Sequence, residues 1–382
     1  MKLLIINDYG IEGGGAEIRI KQLVELLNHT PFFEEIHIIE HETGISKHPS
    51  FWIHKVNSTT AHDIIKKIIQ EHKITHVQIH NCTLFPLNLL HMVKEFHLPL
   101  IFFAHDYWGF CGRRNLTKPN QKICKNAKTL QCVSCIGFRS YIHQERIKEA
   151  LRLCDVGIAP SLYIQHIYEA HNILNNKWKI IPPWINRDLF ISRYRKPKSE
   201  TKIILFVGPL EYAKGIDLLI EAMNTIKHTL PLFEIHVVGE GQEKNNPNFI
   251  RITDLAKKYC LDKHLHFFGK MSLPELVKKY CTASISVTCP LWPEVFGQTW
   301  AQAISCGTPV VATTVGSIPE LAYGKVSLVE PNPRMLGKAI LTALDTQTSF
   351  ILSPEDFSLD KNISLLEKLY IEILKTKSPK HL

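Results

Sequence analysis

The chain has 382 residues, enough for two hydrophobic cores rather than one. With 45% hydrophobic and 21% charged residues it is neither disordered nor of low complexity, and no internal repeat points to a solenoid. The net charge of +9 is compatible with an anionic small ligand, an anionic bilayer or a solvated basic surface; no helix-turn-helix and no aromatic RNA-binding strand accompanies it, so no nucleic-acid partner is expected.

In chain order, KLLII reads as a first strand. The apolar run there is too short for a signal peptide, and no stretch of about 18 apolar residues follows, so no transmembrane helix is expected. The expectation is a cytoplasmic protein, with peripheral contact at the inner face of an anionic membrane left open. The segment from Ala16 to Asn28 sets Ile20, Leu23, Val24 and Leu27 on one helical face. EIHII, HVQI and PLIFFA read as three further strands with helical patterns between them. HDIIKKIIQEHK (residues 62–73) alternates lysines with isoleucine pairs, which predicts an outer helix of an α/β layer ahead of a membrane-surface helix. KNAKT and KSETK read as exposed loops, and residues 182–202, rich in Pro and charge, as a linker.

The pattern then restarts with KIILFVG, a helix from Gly215, FEIHVVG, LHFFG, ASISVTC and PVVAT. Ser272 with Glu275, and Ser317 with Glu320, have the spacing of capping boxes. Short apolar runs alternating with helical patterns make βαβ units and parallel sheets. The expected architecture is therefore α/β, with two Rossmann-like doubly wound domains facing a central cleft. The N-terminal domain covers residues 1–187, with a cysteine-containing loop over 107–137. The C-terminal domain covers 188–382, its last helix able to pack back on the first.

Ligands of doubly wound sheets bind outside the carboxyl ends of the strands, so the chemistry is sought there. The first strand runs into Gly13, Gly14 and Gly15, a turn whose N–H groups can approach an anion at a helix start. It is neither a full G-x-G-x-x-G fingerprint nor a Walker loop. PLIFFA, read as the fourth strand, ends in His105 and Asp106 amid aromatics. In the second half Lys214 precedes a helix start, a suitable cradle for a diphosphate. Gly239 and Gly241 form a Gly-x-Gly turn after a strand, and Gly208 ends the strand before Pro209. Glu294 stands before Phe296, Gly297 and Gln298, whose amides begin the next helix, and Gln302 lies further along that helix. A carboxylate beside anion-binding amides suits hydroxyls, so the inferred ligand carries a diphosphate and sugar-like diols.

With these residues in place, the sequence resembles retaining glycosyltransferase family 4, group 1 glycosyltransferases of the GT-B fold. The resemblance rests on GGGAE, the HD pair, APS at 159–161, FVG followed by Lys214–Gly215, VVGEG, and the EVFG…CGTPVVAT…G…PE block. It implies an acceptor-binding first domain, a donor-binding second domain and catalysis that requires no metal cofactor. It implies that Lys214 holds the donor diphosphate, that Glu294 binds the sugar hydroxyls, and that Phe296, Gly297 and Gln298 surround sugar and phosphate. It further implies that His105 contacts the sugar or stabilises positive character at the anomeric carbon, and that Gly14–Gly15 close over the diphosphate. The implied acceptor is a glycan or lipid-linked sugar of surface polysaccharide or glycolipid synthesis.

Two departures stand out. The family usually has an acid at position 302, gripping the nucleotide ribose; here it is Gln302, and an amide can still accept one bond and donate another. The family also commonly has an Arg where Pro209 stands, with Arg113 or Arg114 as conceivable substitutes. These departures motivate an alternative: a non-catalytic nucleotide- or glycan-binding subunit of a glycosylation complex. Finally, Cys111, Cys124, Cys132 and Cys135 have C-x12-C-x7-C-x2-C spacing, which fits a structural zinc site, a set of free thiols, or disulfide or cluster chemistry.

Overall fold

The computed structural model describes residues 1–8, 15–28, 30, 32–41, 52–124, 130–190, 200–346, 352–353 and 356–377. Gly13, Gly14, KNAKT and residues 191–199 of the expected linker, with part of KSETK, lie outside them. The chain divides into two compact units: Met1–Lys118, Cys124–Pro183 and Asp360–Leu382 form one, and Pro119–Ile123 with Trp184–Leu359 the other.

The first unit holds a parallel sheet of seven strands: β1 (Lys2–Asn7), β2 (Glu35–His41), β3 (Trp52–Val56), β4 (His76–Asn81), β5 (Leu100–Phe103), β6 (Val156–Ala159) and β7 (Trp178–Ile180). Their spatial order is β3-β2-β1-β4-β5-β6-β7. Between them run α1 (Gly15–Asn28), α2 (Ala61–His72), α3 (Asn88–Glu95), α4 (Leu130–Ile136), α5 (Phe138–Leu151) and α6 (Leu162–Ala170). Leu3 to Ile6 are all fully buried, as a parallel strand covered on both faces requires. The predicted face of α1 is the buried one. In α2 the sheet side is Ala61, Ile65, Ile68 and Ile69, while Lys66 and Lys67 point to solvent, so this helix is an outer layer of the sheet. One expectation is corrected: WIHKV forms β3, so the His105–Asp106 pair follows the fifth strand, not the fourth. An edge strand pairs on one side only and need not show the apolar run of a central one.

The second unit holds six parallel strands: β8 (Lys202–Val207), β9 (Phe233–Val238), β10 (Leu265–Phe267), β11 (Ile285–Thr288), β12 (Val310–Thr313) and β13 (Ser327–Val329). Their order, β10-β9-β8-β11-β12-β13, repeats β3-β2-β1-β4-β5-β6 of the first unit. Its helices are α7 (Ile216–Ile226), α8 (Pro247–Lys258), α9 (Leu273–Thr282), α10 (Gln298–Ser305), α11 (Ile318–Leu321) and α12 (Pro333–Thr346). One face of this sheet is sealed by Leu219, Met223, Ile252 and Ile340, the other by Tyr280, Trp300, Ile304 and Ile318. Ser272 and Glu275 form the expected capping box on α9. The second expected box does not form: Ser317 makes no side-chain cap to α11, and its N–H donates to the carbonyl of Glu294 instead (2.8 Å).

The last helix, α13 (Leu359–Lys377), belongs to the first unit from Asp360 onward. Its Tyr370 is fully buried, edge-on to Phe33 (5.2 Å) and His76 (5.4 Å).

Candidate functional site

In each sheet the strand order reverses between two central neighbours, β1/β4 in the first and β8/β11 in the second. A crevice at the carboxyl ends of such strands is where doubly wound sheets take ligands. Each unit has polar residues gathered there.

In the second unit, Lys214 lies in a turn of 3-10 helix (Tyr212–Lys214) after β8, and Glu294 in the loop after β11. Lys214 Nζ donates to Glu294 Oε2 (3.0 Å), Trp292 Nε1 donates to the same oxygen (2.8 Å), and the ammonium sits 4.6 Å from the Trp292 ring centre. The backbone fixes this trio. Leu291 and Trp292 donate their N–H groups to the carbonyl of Ala213, which ties the two loops together. On the other side Gly316 lies against Glu294 so closely that a Cβ there would stand 2.3 Å from the Glu294 backbone nitrogen, at a φ of +60°. Both charged side chains keep part of their surface open, 26% for Lys214 and 14% for Glu294, so a ligand can reach them.

Phe296 is buried, and its carbonyl accepts from Trp300 Nε1 (2.9 Å). Gly297 takes a left-handed conformation as the N-cap of α10, and Gln298 opens that helix. The α10 start is thus held beside Glu294, with its first amides free of intrahelical partners by construction. Gln302 is half-buried and its Oε1 accepts from the hydroxyl of Tyr280 (3.2 Å).

Gly208 and Gly239 end β8 and β9, with Gly241 just beyond. A Cβ on Gly239 would lie 2.0 Å from the carbonyl oxygen of Gly208, so only glycine lets these two turns meet. Beside them opens a groove of about 600 Å³ lined in part by Pro209, Gly239, Gly241, Asn246 and Lys270. Arg251 is held by Asp217 and Asn248 and donates to the Leu210 carbonyl. Lys270 lines the groove, paired with Glu240 at 2.6 Å.

In the first unit, Asp8 after β1 is fully buried and accepts from Thr83 N, Thr83 Oγ1 and Leu84 N. That buried carboxylate splices the ends of β1 and β4. His105 follows β5, and its Nε2 lies 2.6 Å from Nδ1 of His80. The His80 ring lies nearly parallel to those of Phe103 (4.5 Å between centres) and His105 (4.8 Å), and its Nε2 lies 2.9 Å from Gln78 Oε1. Gln78 in turn donates from Nε2 to the hydroxyl of Tyr370. This orientation of the Gln78 amide makes Oε1 the acceptor. In the neutral tautomer that donates from Nε2 to Gln78, His80 accepts through Nδ1 from Nε2 of His105. His76, Gln78 and His80 alternate along β4 and so share the face that meets α13.

Asp106 serves the backbone. Its Oδ1 accepts from Trp108 N (2.6 Å), and Arg114 forks onto Oδ2 through Nε (3.0 Å) and Nη2 (2.7 Å). Tyr168 donates to its carbonyl (2.8 Å). Arg114 is thus committed to Asp106. Gly14 lies outside the described residues and Gly15 opens α1. Sequence reading pointed to neither His80 nor Trp292, and it named Asp106 and Arg114 without pairing them.

Cys111, Cys124, Cys132 and Cys135, all free thiols, line one small cavity. Elsewhere Glu35, His37 and His72 bring three ligand-type atoms within 4.8 Å of one another. Lys2 already holds that Glu35 carboxylate (2.9 Å), and His72 and His37 each stand 3.3 Å from its Oε2. Among the described residues no helix is long and apolar enough to cross a membrane.

These two parallel sheets with interleaved helices define the class: a GT-B fold. The Anabaena protein HepE, solved in complex with UDP, superposes with a TM-score of 0.73 at 16% identity, covering 97% of this chain and 100% of that one. Residues 190–367, a stretch that takes in most of the second unit, match the family described as "Glycosyl transferases group 1". A phosphatidylinositol N-acetylglucosaminyltransferase subunit of Arabidopsis thaliana is 25% identical over 80% of this chain and 61% of its own length. The chain thus spans about three fifths of that relative. An uncharacterized glycosyltransferase of Methanocaldococcus jannaschii is 23% identical over 98% of this chain and 99% of its own.

Proposed function

We propose that the protein is a retaining glycosyltransferase of family 4, moving a sugar from a nucleotide-sugar donor to a glycan or lipid-linked acceptor of surface polysaccharide or glycolipid synthesis. The observation that carries this reading is the Lys214–Glu294–Trp292 trio beside the start of α10, within the region that matches the group 1 family. The UDP complex of the similar fold supports a nucleotide-sugar donor. The name of the Arabidopsis relative supports a lipid-linked acceptor.

In this reading the second unit takes the donor and the first the acceptor. Lys214 releases Glu294 in part and turns to the donor diphosphate, while Glu294 accepts from sugar hydroxyls. The amides of Phe296, Gly297 and Gln298 flank sugar and phosphate. Gly208, Gly239 and Gly241 admit the nucleotide into the groove beside them. Gln302, whose oxygen is engaged by Tyr280, offers the ribose its NH2 group. His105 stabilises the developing positive charge at the anomeric carbon. The departing diphosphate takes the acceptor proton on the same face, so no protein nucleophile or metal cofactor is needed. The residues work by positioning and by neutralising the leaving group.

A second reading, a non-catalytic nucleotide- or glycan-binding subunit, is favoured by one observation: Pro209 stands where a cation is usual, and Arg114 and Arg251 are both engaged elsewhere. Thermal shift with UDP, GDP, ADP and TDP, followed by turnover assays with the matching sugars, separates the two. A ligand at 100 times its Kd stabilises by about 2.7 kcal/mol. A shift with turnover that is lost in Lys214→Ala and Glu294→Ala supports the enzyme. A shift with no turnover across the donor panel moves the binding reading to the front, and no shift removes the nucleotide pocket from both.

A further inference from the structure

The cysteine cavity plays no part in that chemistry, and it is built like a metal cage. Its volume is about 30 Å³, room for one ion or water and far below the few hundred Å³ of an organic ligand site. Four thiols reach it from three separate stretches. Cys111 sits in a turn closed by its own N–H on the Tyr107 carbonyl (2.8 Å), with Arg114 N–H returning to the Cys111 carbonyl (2.8 Å). Cys124 is tied to the loop by its N–H on the Leu116 carbonyl (2.6 Å). Cys132 and Cys135 stand three apart on α4, and so on one face of that helix.

We infer that this cavity binds one structural Zn²⁺ through the thiolates of Cys111, Cys124, Cys132 and Cys135. The donor set decides the metal class. Four sulfurs select zinc over magnesium or calcium, and four ligands close the site to water and substrate. A zinc tetrathiolate carries two negative charges; Arg113, Lys118 and Lys148 line the cavity, Lys148 being paired with Glu145 of the same lining (2.7 Å). Burial pushes the Cys111 and Cys132 thiols up from their ordinary range. All four are free thiols, and the ligand-type atoms already gathered among the described residues are those of Glu35, His37 and His72, so zinc uptake draws the four sulfurs together.

The position gives the metal a task. The loop it would staple begins at Asp106 and returns through Arg114, and the Trp108 carbonyl accepts from Gln144 on α5 (2.7 Å). Zinc pins this loop to α4 and thereby sets the platform under His105. This is a positioning role.

The test uses the full chain. Zinc is measured in protein purified without added metal, and chelator-stripped, reduced protein is then titrated with Co²⁺. The expected result is about one equivalent of metal per chain, with intense thiolate-to-cobalt charge-transfer bands and tetrahedral visible bands. Cys132→Ser/Cys135→Ser loses these bands, whereas Cys260→Ser, at an exposed thiol elsewhere, keeps them. The unmutated protein also melts at higher temperature with zinc than without, which needs no variant to fold. Less than about 0.3 equivalents, or iron with acid-labile sulfide in place of zinc, overturns the inference. So do cobalt bands that lack thiolate character and vanish in His72→Ala, because they assign the metal to Glu35, His37 and His72.

Discussion

The strand ends of the two units solve the same problem with different materials. In the second unit the site is held by backbone. Gly239 meets Gly208, Gly316 meets Glu294, and peptide hydrogen bonds tie the Lys214 loop to the Trp292 loop. In the first unit it is held by side chains, through the His105–His80–Gln78–Tyr370 relay and the Asp106–Arg114 fork. A backbone-built site leaves its signature in local sequence, because glycine is demanded at fixed positions. A side-chain relay leaves almost none, since its members are ordinary buried polar residues until their partners are known.

The comparison breaks most sharply at the charged pair. Lys214→Ala and Glu294→Ala are each expected to cost about 3 kcal/mol or more in the transition state, a hundredfold or greater loss of kcat with folding retained. Circular dichroism alongside turnover with the donor found by thermal shift checks this. Gly316→Ala is the backbone counterpart. Its Cβ has no room beside Glu294, so it should lower Tm and kcat together, whereas the charge variants lower kcat alone.

The relay should fail more gently. His80→Gln keeps a polar group but cannot reproduce the imidazole's geometry, and leaving a buried partner unsatisfied costs roughly 2 kcal/mol. The expected signature is a lowered kcat and a displaced pH profile with the donor KM nearly unchanged. A KM effect alone would show that His80 does not act through His105. Gln302→Glu restores the acid that the resemblance expects at the ribose, and should tighten nucleotide binding by about 1 kcal/mol, read by calorimetry.

The smallest effects lie away from the strand ends, in the Glu35–His37–His72 cluster. Hydrogen bonds from Lys2 and His37 hold the Glu35 carboxyl down to about 2. Burial holds the His37 imidazole below its ordinary 6.5. Both shifts mean that the unfolded chain binds protons more readily than the folded one, so both destabilise on acidification. His37 acts first, as pH drops below 6.5, and Glu35 later, as pH falls from about 4.5 towards 2. Replacing His37 by Asn should flatten the upper part of that decline in a pH series of urea melts, and an unchanged slope would remove His37 from the account.

The doubly wound pattern was legible because central parallel strands must be apolar on both faces, as Leu3–Ile6 and Val310–Ala312 are. The strand Trp52–Val56 escaped because an edge strand carries no such run. In the second unit Lys214 and Glu294 were readable one by one from their glycines and helix starts. Their mutual ion pair was not, since it joins residues 80 positions apart. Ser317 with Glu320 looked like a helix cap because the spacing is right, yet the Ser317 amide is drawn to the Glu294 carbonyl instead. His80 was invisible: HVQIHN reads as a strand, and nothing local says that Gln78 will meet a tyrosine 292 positions later.

That tyrosine has a bearing on how the protein is made. Tyr370 sits on α13, which the ribosome completes only after the whole second unit, yet it closes the interior of the first. The unit begun earliest is therefore finished latest. During synthesis its β4 face waits with buried-type histidines and Gln78 uncovered, exposed to mispairing and to chaperones, while the later unit can already fold. A nascent chain stalled before α13 should hold a folded second unit beside an unfinished first.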